Sequence, residues 1–168
     1  MTLDIYAADE QSDQPVAVDR WTELARAVLA AEGIVADTEL SLLFVDGATM
    51  ASLNERFLGK EGPTDVLSFP IEDDAGRSGR SPDEGGTGPG SIEADSSRLV
   101  LLGDVVICPS VAAANAAEHG VSIDDETALL VVHGILHLLG MDHEVDEEAE
   151  RMERREQQLL DRYYRVTP

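Results

Sequence analysis

The chain has 168 residues, a length suited to one domain, and its 43% hydrophobic content is enough to build a substantial core. With 34 acidic residues against 12 basic ones the formal net charge is −22, so the average field repels phosphate and argues against a surface that holds a polyanion by bulk charge. No apolar run is long enough to span a membrane, and the start MTLDIYAADEQSDQ has neither a basic segment nor a hydrophobic signal core, so the expected location is the cytoplasm.

Residues 2–6 (TLDIY) alternate weakly and predict a first strand. Asp19 is placed to cap a helix over Trp21–Glu32, where Trp21, Leu24, Ala25, Val28 and Leu29 recur at helical spacing before Gly33 closes the element. ELSLLFV, residues 39–45, predicts a second strand. Asp46 then caps a helix through MASLNERFL, with Met50, Leu53, Asn54 and Phe57 near one face; Met50 and Phe57 are expected in the core. The loop GKEGPT breaks that helix and carries Lys60, the only lysine in the chain, which on composition alone reads as an ordinary surface residue. DVLSFPIE resumes an extended run whose Pro70 points to an edge position or a bulge. Thr64 and Ser68 in this run read as turn and strand residues, because no base stands beside them to make either a nucleophile.

Residues 73–97 are glycine, serine, proline and acid with almost no bulky apolar side chain, and they cannot bury enough surface to order themselves. RLVLLGDVVIC follows at once, so this segment is expected to be a disordered insertion joining two strands of one sheet as a long hairpin. The single cysteine, Cys108, excludes an internal disulfide and, at the end of an apolar strand, reads as a buried structural thiol. Neither a G-x-S-x-G elbow nor a phosphate-binding P-loop is present. Asp104 reads equally as a polar residue at a strand bend after Gly103 or as a group orienting others near a cleft.

Pro109 and Ser110 open a helix through VAAANAAEHG, with His119 at its C-terminal end, where the helix dipole favours a basic side chain. Asp124 or Asp125 caps the next helix, over residues 124–139, whose body ALLVVHGILHLLG predicts burial on most sides. The final segment, EVDEEAERMERREQQLLDRYYRV, predicts a charged amphipathic helix with a solvated face. Strands interleaved with helices imply a mixed β-sheet covered by helices.

Residues 133–143, HGILHLLGMDH, hold three of the four histidines in the order H-x-x-x-H-x-x-G-x-x-H. On a helix His133 and His137 lie one above the other and can bind the same ion, while Gly140 supplies the left-handed conformation that lets the chain reverse and bring His143 back. The metzincin proteases share this spacing but carry a glutamate after the first histidine as general base; here that residue is Gly134, which disfavours peptide hydrolysis by that mechanism. A structural metal site would recruit a fourth ligand, for which Asp142 is the nearby candidate, although beside His143 it fits better as a residue that orients a histidine or caps the turn.

Three segments together, GKEGPTDVLSFP at 59–70, LGDVVICPS at 102–110 and HGILHLLGMDH at 133–143, resemble the YbeY family of bacterial metal-dependent endoribonucleases that act in ribosomal RNA maturation. The resemblance implies a single α+β domain over residues 1–168, interrupted by the insertion at 73–97, with the metal site on a central helix and the turn after it. It implies one zinc ion per chain on His133, His137 and His143, and single-stranded ribosomal RNA as substrate. It also implies processing near the 3′ end of small-subunit ribosomal RNA, a share in ribosome quality control, and ribosomal proteins or a ribosome-associated GTPase as partners. Many members have an arginine directly before the Gly-Lys pair, where this chain has Leu58; Arg56 lies two residues earlier and Lys60 two residues later, and these are the candidate catalytic cations. Two other readings compete: a metal hydrolase of another ester or amide, and a non-catalytic ribosome-assembly factor with a structural zinc.

Overall fold

The computed structural model describes residues 3–34, 37–71, 100–141 and 145–165. In chain order the elements are β1 (Leu3–Glu10), α1 (Val18–Ala31), β2 (Thr38–Val45), α2 (Gly47–Leu58), β3 (Val66–Pro70), β4 (Val100–Ile107), α3 (Pro109–His119), α4 (Ile123–Leu138) and α5 (Asp146–Tyr163). The expected insertion at 73–97 lies outside the described residues.

One mixed sheet runs in the order β1-β2-β4-β3, with β1, β2 and β4 parallel and β3 antiparallel to β4. The pairing of β3 with β4, from Val66 opposite Ile107 to Pro70 opposite Gly103, is the expected hairpin across the insertion. Pro70 ends the edge strand, where its missing N–H costs the ladder little. The first strand runs beyond Tyr6 to Glu10 because parallel pairing with β2 carries Ala7–Glu10 along an edge whose outer side chains need not be apolar.

Alternation along the strands divides the core between the two faces. Leu40, Leu42, Phe44, Val105 and Ile107 form one buried cluster with Trp21, Leu24 and Val28 of α1, Val131 and Ile135 of α4, and Met152, Leu159 and Leu160 of α5. Val45, Leu67, Val106 and Cys108 point the other way and pack with Met50 of α2. Burying each of these large apolar side chains contributes about 1.5–3 kcal/mol. α4 is held in the middle of the larger layer, against the sheet, α1, α3 and α5.

Asp46 caps α2 as expected: its carboxylate accepts from the Thr49 N–H at 2.8 Å, and this bond holds the Asp46 carboxyl below its ordinary pKa. Two other caps differ from expectation. Asp19 lies within the first turn of α1, whose cap position is Ala17, because the helix starts at Val18, ahead of its apolar face. At α4 the cap is Ser122 instead of Asp124 or Asp125; the Ser122 hydroxyl accepts from the Asp125 N–H at 3.0 Å, leaving both aspartates in the first turn, where the helix dipole favours negative charge.

Candidate functional site

α4 is so deeply embedded that, from Glu126 to Leu138, only Leu129, His133 and His137 are not buried. They are four residues apart and form one line along the helix, the line left partly open to solvent among the described residues. The imidazoles of His133 and His137 thus come together, ring centroids 5.8 Å apart and inclined at 70°. Gly140, at φ +103°, ends the helix in the positive-φ conformation expected of it. His143 and Asp142 lie outside the described residues, and among the described residues no group of three or more His, Cys, Asp or Glu is placed to hold a metal.

The donor chemistry present suits a metal ion. His133 Nδ1 is 2.5 Å from Oε2 of Glu156 on α5, and the Glu156 carboxylate is buried. An ionised carboxylate can only accept, so the bond is one that Nδ1 donates, and a neutral ring held this way presents its Nε2 lone pair as the atom that could bind a metal. The same bond fixes the ring's rotation and satisfies a carboxylate that would be costly to bury alone. Sequence reading missed Glu156. The signal was there: Met152, Glu156, Leu159 and Leu160 are the buried residues of α5, so one acid stands on an otherwise apolar seam.

Gly134 has a packing reason of its own. A Cβ at this position would stand 2.6 Å from Cγ1 and 3.3 Å from Cγ2 of the buried Val105, and the Ser68 hydroxyl donates to the Gly134 carbonyl at 3.0 Å. The helix therefore lies directly on β3 and β4 at the residue between the two histidines' turns. A glutamate in the metzincin position would have to displace a buried, β-branched side chain. Ser68 is a bracing residue between strand and helix, in agreement with its reading as a strand residue.

Across from the histidines is the loop that carries Lys60. Buried Asn54 anchors it twice: Nδ2 donates to the Gly62 carbonyl at 2.9 Å, and the Asn54 carbonyl accepts from the Lys60 N–H at 3.3 Å. Asp65 fixes its other end, its carboxylate accepting from Asn115 of α3 at 3.1 Å and its carbonyl from the Cys108 N–H at 2.9 Å. The result is a cleft of about 570 Å³ whose lining includes Asn54, Phe57, Lys60, Phe69, His133 and His137. Arg56 does not share that lining; its guanidinium sits 5.4 Å from the centre of the Phe57 ring. Asp104 is on β4 opposite Phe69, also away from the cleft lining.

Phe57 corrects the sequence expectation. It is 57% exposed instead of buried, because the last turn of α2 lies beyond the small cluster built on Met50, and its ring meets Phe69 edge to face at 5.2 Å. His119 is at the end of α3, as expected, with Nδ1 3.2 Å from the buried Glu126 carboxylate.

Fold and site together define the class: an α+β domain with one mixed sheet, whose paired histidines on a central helix share an edge cleft with a single lysine. A family model described as Endoribonuclease YbeY matches residues 6–164. The chain belongs to the YbeY family. It is 45% identical to the Endoribonuclease YbeY of Beutenbergia cavernae over 92% of this chain and 95% of that one, and 44% identical to that of Salinispora tropica over 89% of each. It is 42% identical to that of Rhodococcus opacus, covering 92% of this chain and 79% of the relative. The solution structure of TM1509 from Thermotoga maritima has a similar fold, with a TM-score of 0.56 at 22% identity over 96% of this chain and 91% of that one.

Proposed function

We propose that this protein is a zinc-dependent endoribonuclease that cuts single-stranded RNA, acting in the cytoplasm on the 3′ end of small-subunit ribosomal RNA and in the quality control of ribosomes. The observation that carries the reading is the cleft itself: it gathers the two helix histidines and the chain's only lysine, and the relatives it resembles across nearly their whole length are named endoribonucleases.

In this reading His133, His137 and His143 hold one zinc ion. When bound, zinc supplies Lewis acidity toward a phosphoryl oxygen and lowers the pKa of a coordinated water. The protein's own residues do the rest. Glu156 keeps His133 in the required tautomer and rotation. Lys60, set by Asn54, offers a positive charge to the non-bridging oxygens of the phosphate, whose charge grows toward the transition state. Arg56, in the last turn of α2, can supply a second cation only by leaving Phe57 and reaching around the helix end. Burial of α4 against the sheet keeps the histidine line rigid while the substrate changes charge.

The acidity of the chain fits partners that bring the RNA to it. A net charge of −22 favours encounter with basic ribosomal proteins over free capture of RNA, and a ribosome-associated GTPase is a further partner in this reading.

Chelation tests the catalytic reading against the structural-zinc one. Removal of the metal is expected to abolish cleavage of single-stranded RNA while leaving the thermal transition little changed; collapse of the fold on chelation would favour a structural ion.

A further inference from the structure

An aromatic ring more than half exposed beside a candidate RNA-cleaving site calls for a reason. Phe57 leaves the core, lines the same cleft as Lys60 and the histidine pair, and is braced edge to face by Phe69. Its neighbour Leu58 is 51% exposed as well, so the end of α2 presents a small apolar platform directly before the lysine loop. Solvent gains nothing from such a platform, whereas a nucleotide strand does: every base has an apolar face that stacks on an aromatic ring, and its backbone carries the phosphate that a lysine three residues further on can meet. Stacking also needs an unpaired base, because the bases of a duplex are already stacked on one another.

We infer that Phe57 is a base-stacking subsite: an unpaired nucleobase of the RNA, next to the phosphate that Lys60 contacts, lies on the Phe57 ring. The inference rests on the endoribonuclease reading and adds to it the residue that selects single-stranded over duplex substrate. Phe69 acts through Phe57, holding the ring in place. Charge makes the platform more important here than in a basic nuclease, since a chain of net charge −22 has little electrostatic affinity to spare.

The test is the affinity of the full-length protein for a short single-stranded oligoribonucleotide and for an abasic oligomer of the same length and charge, read by fluorescence anisotropy. Wild type is expected to prefer the base-bearing strand, and Phe57→Ala to lose that preference by weakening base-bearing binding about 5- to 150-fold, the range that about 1–3 kcal/mol of stacking spans. Phe57→Trp is expected to keep the preference and, since Trp21 is buried, to report stacking as quenching of an exposed indole. A preference that survives in Phe57→Ala, or an indole that RNA leaves unquenched, overturns the inference. If wild type binds both strands equally, stacking fails while RNA binding stands. If it binds neither, the endoribonuclease reading of the isolated protein fails with it.

Discussion

His133 and Glu156 meet at 2.5 Å across the contact between α4 and α5, joining a candidate metal ligand to a carboxylate buried in the C-terminal helix. The bond makes α5 part of the site although no residue of α5 lines the cleft. Glu156→Gln keeps the size of the side chain but can present either its oxygen or its amide to Nδ1, so the tautomer is no longer fixed. Zinc affinity, measured by competition with a chromophoric chelator, is expected to fall about 10–100-fold in this variant. Unchanged affinity would mean that Glu156 serves the helix contact and not the ligand.

Packing at Gly134 gives a prediction independent of any metal. Gly134→Ala puts a methyl group 2.6 Å from Val105 Cγ1 and is expected to lower the stability in urea by about 1–3 kcal/mol. Val105→Ala removes both clashing methyl groups, so the double variant is expected to cost less than the sum of the two single ones. Simple additivity would show that the helix is free to lift from the sheet.

Much of this architecture was legible in the sequence because local chemistry decides it. Asp46 before an apolar period, the helical spacing of Trp21 to Leu29, and Gly140 after His137 each act within a few residues, and each appears where expected. What could not be read is set by the layer that happens to lie opposite. A helical period shows that Phe57 shares a face with Met50, but only the extent of the sheet decides that the core ends beneath Asn54. Glu156 is the converse case: its place on an apolar seam marks it as unusual, while its partner, 23 residues earlier, is fixed by how α5 crosses α4. The loop anchors Asn54 and Asp65 were equally hidden, since backbone carbonyls and amides leave no trace in the residue pattern.

Asn54 is expected to matter for Lys60 without touching the histidines. Asn54→Ala removes the bond to the Gly62 carbonyl, so the lysine loop loses an anchor. Cleavage is expected to fall about tenfold or more with zinc content unchanged, and the variant should unfold more easily by about 1–3 kcal/mol. Cleavage at the wild-type rate would show that the loop holds its position without this side chain.

Alkaline pH should expose the contact between the chain's C-terminal end and α4. Burial, followed by the hydrogen bond its hydroxyl donates to Asp125 at 2.8 Å, pushes the Tyr164 phenol up to about 12 from an ordinary 10.0. A raised pKa means that the folded state keeps its proton while the unfolded chain loses it. The contribution of Tyr164 to stability is therefore complete below pH 10 and is lost as the pH rises from about 10 to about 12. In Tyr164→Phe that part of the alkaline decline in the unfolding midpoint is expected to disappear. An identical decline in the variant would place its cause elsewhere.

Metal and phosphate roles separate in one measurement: cleavage of single-stranded ribosomal RNA by zinc-loaded wild type beside His137→Ala and Lys60→Ala, with zinc content determined on each preparation. His137→Ala is expected to lose both zinc and cleavage, and Lys60→Ala to keep its zinc but lose cleavage. A wild type that holds zinc yet cleaves no faster than His137→Ala would rule out a zinc-dependent ribonuclease site on these histidines.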